Sequence, residues 1–179
     1  MKNQFDQNWL DDVTVVALGC SLAGAYPSRE ALLDAAVEAL ASEGLKVAAC
    51  SSWWTSAAWP DPTAPAYLNG VALVETTLAA DAALAALHRI EARFDRRRGQ
   101  PNAPRTLDLD LVAHGRTVLK GEVVVPHPRA RERLFVMGPL AEIAPGWRHP
   151  VGGRTAGELA TEATVGTDAA PELGTPTHR

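Results

Sequence analysis

The chain has 179 residues, a formal net charge of −4, 46% hydrophobic and 21% charged residues, the make-up of an ordinary globular protein with enough chain for one well-shielded core. That balance excludes a disordered class, and the acidity argues against broad electrostatic attachment to nucleic acid or an anionic membrane, both of which need a basic face. No apolar run approaches the roughly 18 residues of a bilayer span, and the opening M-K-N-Q-F-D-Q-N-W-L-D-D lacks the basic and apolar regions of a secretion signal, so the expectation is a cytoplasmic protein. The two cysteines, Cys20 and Cys50, lie in or beside apolar segments, which predicts buried free thiols in a reducing compartment.

Residues 13–18, V-T-V-V-A-L, are β-branched and apolar and predict a strand, ended by G-C-S-L-A-G-A-Y-P-S. Ser28 then caps a helix to about Ser42, whose Leu33, Val37 and Leu40 share one face and which stops at Gly44. A second strand covers 45–54, and T-S-A-A-W-P-D-P-T-A-P is a loop. A third strand covers 67–77, and an alanine-rich helix runs from Asp81 to about Phe94 on a stripe of Leu84, Leu87, Ile90 and Phe94. The loop D-R-R-R-G-Q-P-N-A-P-R leads into R-T-L-D-L-D-L-V, a period-two strand at 105–112.

The order β, α, β, β, α, β is that of a split ferredoxin-like fold, an α+β class with an antiparallel sheet, helices on one face and the other face left for a ligand. One or two short strands at 117–125 and a helical region at 129–142, interrupted at Pro139, make a C-terminal strand and helix extension. The expected organisation is a single domain over 1–160, beginning with a polar extension at 1–12, followed by a disordered tail over 161–179 with too few large apolar residues to pack.

The strand at 105–112 is where chemistry first shows. It sets Asp108 and Asp110 on one face, roughly 6 to 7 Å apart, where at an effective dielectric of about 20 their repulsion is on the order of 2 kcal/mol. Either open water screens that pair or a cation sits between the carboxylates. Arg96, Arg97, Arg98 and Arg105 flank the strand and Arg131 and Arg133 follow, so an acidic chain concentrates cations beside two carboxylates. The bland reading is a set of surface ion pairs, each worth little. Three consecutive arginines repel one another unless an anion is present, and carboxylates for Mg²⁺ beside arginines for phosphate oxygens is what phosphoryl transfer requires. His127, in V-V-P-H-P-R, follows an apolar strand, and a lone histidine is more often structural than functional. Glu91 falls near its helix's apolar stripe, either as a salt-bridge partner of Arg105 or Arg96 or as an acceptor for a sugar hydroxyl. Tyr67 and Asn69 share a strand face, and with Phe135 they offer stacking surfaces and an amide edge to a flat heterocycle; the competing reading makes the two aromatics core residues.

Taken in order, A-L-G, Y-L-N-G-V-A-L-V-E-T-T, R-I-E-A-R-F-D-R-R-R-G, A-P-R-T-L-D-L-D-L-V-A-H-G and V-V-P-H-P-R-A-R-E-R-L-F-V-M-G-P-L-A-E-I-A-P resemble the 6-hydroxymethyl-7,8-dihydropterin pyrophosphokinase family over most of residues 13–150. The resemblance implies transfer of pyrophosphate from ATP to the pterin hydroxymethyl group, with release of AMP, in folate biosynthesis. It also implies ATP as co-substrate, 6-hydroxymethyl-7,8-dihydropterin as the other partner and a monomer, while the acidity and the lack of a long apolar run predict no nucleic acid and no membrane as partners. By the same matching Asp108 and Asp110 would hold two Mg²⁺ ions and Arg96, Arg98 and Arg105 would line the catalytic loop. His127 and Arg133 would contact ATP phosphates, with Glu91 and His88 on the nucleotide side. Tyr67 and Phe135 would sandwich the pterin, Asn69 would bond its edge, and Ser56, Ala57 and Trp59 would complete the pocket. The chain departs from the family pattern at Cys20 and Ser21 in the early motif, at Asn102-Ala103 where a Trp-Gly pair is common, and at His88 in place of glutamine. A tryptophan lid over the pterin would then be missing, unless Trp53, Trp54 or Trp59 supplies aromatic cover. The competing functions are a non-catalytic pterin- or nucleotide-binding relative and a ferredoxin-like RNA-binding module.

Overall fold

The computed structural model describes residues 4–58, 61–94 and 106–174. After α1 (Gln7–Asp12) come β1 (Thr14–Cys20), α2 (Arg29–Ser42), β2 (Lys46–Cys50), β3 (Trp54–Ser56), β4 (Tyr67–Glu75), α3 (Ala80–Arg93) and β5 (Asp108–His114). Beyond them lie a hairpin of β6 (Leu119–Lys120) and β7 (Val124–Val125), a 3-10 turn at Ala130–Glu132, α4 (Leu134–Ile143), α5 (Ala156–Glu162) and β8 (Ala170–Pro171).

Local chemistry accounts for the elements. The Ser28 hydroxyl accepts from Ala31 N at 3.1 Å and starts α2; Gly44, at φ +83°, lets the chain turn back so that Leu45 N reaches Leu40 O at 3.1 Å. The predicted strand at 45–54 divides into β2 and β3, which both pair with β4, and the intervening Ser51 hydroxyl accepts from Val71 N at 3.0 Å in place of a ladder bond. The helix predicted to break at Pro139 continues through it. A proline inside a helix costs about 3 kcal/mol, and burial of Val136, Met137 and Leu140 on the sheet offsets it.

The main sheet runs β5-β1-β4-β3-β8, with β2 also on β4, and its strands are antiparallel. One face carries Val16, Leu18, Leu68, Ala72, Leu107, Leu109 and Leu111 into α2 and α3, which is the expected ferredoxin-like layer. The second face is mostly covered. Val15, Ala17, Val71 and Leu73 pack there against Leu10 of α1, Val136, Met137 and Leu140 of α4, Trp147, and Leu159 of α5. The ligand face expected to lie open is therefore reduced to the part of the sheet that α4 does not reach.

Two predicted boundaries change. Residues 7–12 form a helix whose Leu10 and Asp11 are buried, beyond what a polar extension does. The tail expected from residue 161 is not disordered as far as residue 174. α5 reaches Glu162, Ala169 is buried, and β8 pairs with β3 through Thr55↔Ala170 and Trp54↔Pro171. Backbone hydrogen bonding to a sheet edge orders this stretch, whose few apolar side chains could not.

Candidate active site

Where α4 begins, the uncovered end of the sheet becomes the floor of a cavity of roughly 360 Å³. Cross-strand register builds that floor. Asp108 pairs with Gly19 and Gly19 with Asn69, while Asp110 pairs with Ala17, so the carboxylates and the amide project on one side over the two smallest residues of β1. A Cβ added at Gly19 would come within 3.2 Å of Asn69 Oδ1; the missing side chain leaves room for a ligand to approach the backbone. Leu107, Leu109 and Leu111 point the other way and are buried.

Ser56, Ala57, Tyr67 and Asn69 form the sheet-side wall; Arg129, Arg133, Phe135 and Val136 come from the turn and helix opposite. Asn69 Nδ2 donates to Ser56 Oγ at 3.0 Å, which leaves Oδ1 as the acceptor over Gly19. Phe135 is fixed on both sides: the Arg133 guanidinium lies 5.7 Å from its ring centroid, a favourable cation–π geometry, and Gly166 packs against the ring edge. Two carboxylates and two guanidiniums thus share one cavity with an aromatic ring from each wall.

Of the residues singled out from sequence, Ser56, Ala57, Tyr67, Asn69, Asp108, Asp110, Arg133 and Phe135 line this cavity. His127 stands beside it. Its Nδ1 accepts from Arg129 N at 3.2 Å, which leaves the neutral ring's proton on Nε2. Burial lowers its pKa most, Arg133 and Arg129 add to that, and the Asp110 charge opposes them. Glu91, 3% exposed, and the exposed His88 lie on α3, the layer behind the sheet, and do not line the cavity. Arg96, Arg98, Arg105 and Trp59 lie outside the described residues.

The other two tryptophans give no aromatic cover. Trp53 is buried toward α2, with its Nε1 donating to Asp34 Oδ1 at 3.2 Å. Trp54 packs on Gly138 of α4 and donates to Glu142 Oε2 at 2.8 Å. Glu142 also accepts from Ser52 N and Oγ at 2.8 and 2.7 Å, tying α4 to the sheet beside the cavity. Arg131, expected to act with Arg133, exerts its charge on His149 instead. Sequence reasoning passed over Arg129, although it is the arginine of V-V-P-H-P-R, and over Val165, which lines the cavity, and Asp168, which accepts from the backbone of the lining residue Ala57; neither of the last two carries a local pattern. Both cysteines are buried and free, with thiol pKa values pushed by burial to about 12, so they are inert core residues.

The donor set suits magnesium. Two hard carboxylate oxygens on one strand are what Mg²⁺ takes from a protein when water and phosphate oxygens fill the rest of its octahedral shell, and Arg129 and Arg133 stand across the cavity to meet a polyphosphate.

The family model described as 7,8-dihydro-6-hydroxymethylpterin-pyrophosphokinase (HPPK) matches residues 15–145. The chain is 39% identical over 142 residues to the 2-amino-4-hydroxy-6-hydroxymethyldihydropteridine pyrophosphokinase of Synechocystis sp., covering 79% of this chain and 71% of that one. It is also 39% identical over 142 residues to the protein of the same name from Pseudomonas aeruginosa, covering 76% and 83%. Among solved structures, a triple mutant of Plasmodium falciparum HPPK-DHPS superposes with a TM-score of 0.67 at 11% identity, over 89% of this chain and 47% of that longer polypeptide, a likeness of fold alone.

Proposed function

The chain belongs to the 7,8-dihydro-6-hydroxymethylpterin-pyrophosphokinase family, and from that premise we propose that it transfers pyrophosphate from ATP to the hydroxymethyl group of 6-hydroxymethyl-7,8-dihydropterin and releases AMP, a step of folate biosynthesis. The observation that carries this reading is the placement of Asp108 and Asp110 on the floor of the same cavity that Tyr67, Asn69 and Phe135 enter.

In this reading Tyr67 and Phe135 stack the pterin from the two walls, and Asn69 Oδ1 accepts from its edge while one Nδ2 hydrogen, given to Ser56, holds the amide in place. The hydroxymethyl oxygen then faces the carboxylates, in position for in-line attack on the β-phosphorus with AMP as leaving group. Asp108 and Asp110 hold two Mg²⁺ ions. When bound, magnesium supplies positive charge to the phosphate oxygens. Arg129 and Arg133 clamp phosphate oxygens from the opposite wall, and His127, neutral and carrying its proton on Nε2, donates a hydrogen bond to the same group. Arg96, Arg98, Arg105, Trp59, Glu91 and His88 are assigned to ATP and pterin on the strength of family resemblance. The protein works as a cytoplasmic monomer in this reading; among the described residues no helix is long and apolar enough to cross a membrane. An RNA-binding module of this fold would need the sheet face that α1, α4 and α5 occupy.

The direct test mixes the protein with Mg²⁺, ATP and 6-hydroxymethyl-7,8-dihydropterin and follows AMP. Release in step with diphosphorylated pterin is expected. Asp110→Ala should lower turnover at least ~100-fold with the fold intact by circular dichroism; near-normal turnover in that variant would contradict the role given to the carboxylate pair.

A further inference from the structure

Residues 164–172 run from the Glu132–Leu134 side of the cavity to Ala57 and Trp53 on its sheet side, although nothing in the proposed chemistry calls on them. Thr164 N and Val165 N donate to Glu132 O at 3.0 and 2.9 Å, Leu134 N donates to Val165 O at 2.9 Å, and Glu172 N donates to Trp53 O at 2.8 Å. Together with the β8–β3 pairing, these bonds strap the segment to both walls. Asp168 Oδ2 accepts from Ala57 N at 2.6 Å. Ala57 is the first residue beyond β3, where the ladder no longer supplies an acceptor, and a carboxylate accepting from a backbone amide is a strong, short, directional bond. Gly166, at φ +65°, lies against Phe135 so closely that a Cβ there would stand 2.4 Å from Cδ1; any side chain would push the ring.

We propose that Asp168 and Gly166 are positioning residues for the flat heterocycle: Asp168 fixes the Ala57 backbone on one wall, Gly166 sets the reach of the Phe135 ring on the other, and the strap thereby sets affinity for the pterin while leaving the nucleotide side alone. The inference rests on the reading of the cavity as the pterin site. It extends the site to two residues that do not line the cavity themselves, since Asp168 acts through Ala57 and Gly166 through Phe135.

Steady-state kinetics of the full chain, with pterin and ATP varied separately, test it. Asp168→Ala is expected to raise KM for the pterin about tenfold with kcat and KM for ATP within about twofold, while Asp168→Asn, which keeps an acceptor for Ala57 N, recovers most of the loss. Gly166→Val should raise the pterin KM in the same selective way. Fluorescence titration with 6-hydroxymethylpterin in the absence of ATP reads the same affinities without turnover, and serves for any variant too weakly active to assay. An unchanged pterin KM in all three variants overturns the proposal, as does a loss shared equally among kcat and both KM values, which is the mark of general destabilisation. A wild-type chain that turns over while its strap variants behave like it overturns this inference alone; a wild-type chain that neither turns over nor binds the pterin overturns the cavity reading as well.

Discussion

A Cβ built on Gly70 would lie 2.4 and 2.5 Å from two ring carbons of Trp53, and Trp53 is itself fully buried against α2. Gly70→Ala should therefore overpack the core and cost about 1–3 kcal/mol, read as a lower urea midpoint with an unchanged slope; wild-type stability would mean that the ring has somewhere else to go. The same contact explains why aromatic cover could not be assigned from sequence. Trp53 and Trp54 are neighbours, so alternation sends one to each side of the sheet. Both sides are core in this molecule; one ring ends under α2 and the other on Gly138 of α4, and neither reaches the cavity. The pair Asp108 and Asp110 was legible for the opposite reason. Two residues apart on one strand, they share a face whatever the rest of the chain does, and their mutual repulsion already asked for a cation.

Among elements, the strap shows what periodicity misses. It has few apolar residues, yet it is held by backbone hydrogen bonds and by one unusual side-chain contact, in which Glu172 is hydrogen-bonded to Glu30 in the first turn of α2. Burial raises the Glu172 pKa above the ordinary glutamate value of 4.5, and the hydrogen bond with Glu30 and its charge raise it further; the buried Oε2 has no hydrogen-bond partner among the described residues. A raised folded-state pKa means that the folded protein holds the proton more tightly than the unfolded chain, so the contact's contribution is full at or below the unfolded value and is lost as pH rises through the folded one. Glu172→Gln keeps a neutral side chain at every pH. Its melting temperature should stay close to wild type near about pH 4 and exceed it increasingly toward about pH 8; parallel curves would show that Glu172 carries no extra proton. Helix α4 is the other element that surprises, since Pro139 reads as a breaker and is overridden by burial of the residues on either side. Helices α2 and α3 needed no such correction, because each carries its apolar stripe within its own sequence and α2 also has its Ser28 cap and Gly44 stop.

At the scale of the whole molecule Asp11 joins three distant segments. It accepts from Arg148 at 3.2 and 2.5 Å, from Gln7 of its own helix at 2.9 Å, and from Arg116 beyond β5. Its pKa falls to about 2, chiefly through the Arg148 hydrogen bond, with burial opposing. A depressed folded-state pKa contributes stability that is present above the ordinary value of 3.8 and is lost as pH falls through about 2. Asp11→Asn should therefore be less stable than wild type at neutral pH, with the gap closing as pH drops through that window in urea titrations; a gap of constant size would assign the loss to packing instead. The βαββαβ pattern of the core, the sheet face that meets α2 and α3, and the carboxylates with Tyr67 and Asn69 at strand spacing followed from the sequence by itself, since each depends on neighbours within a turn or two of chain. Only the tertiary structure decided what covers the second face, which aromatic rings enter the cavity, and that Asp168 holds Ala57 across 111 residues of chain, because such contacts are set by the packing of whole elements and leave no periodic trace in the residues that make them.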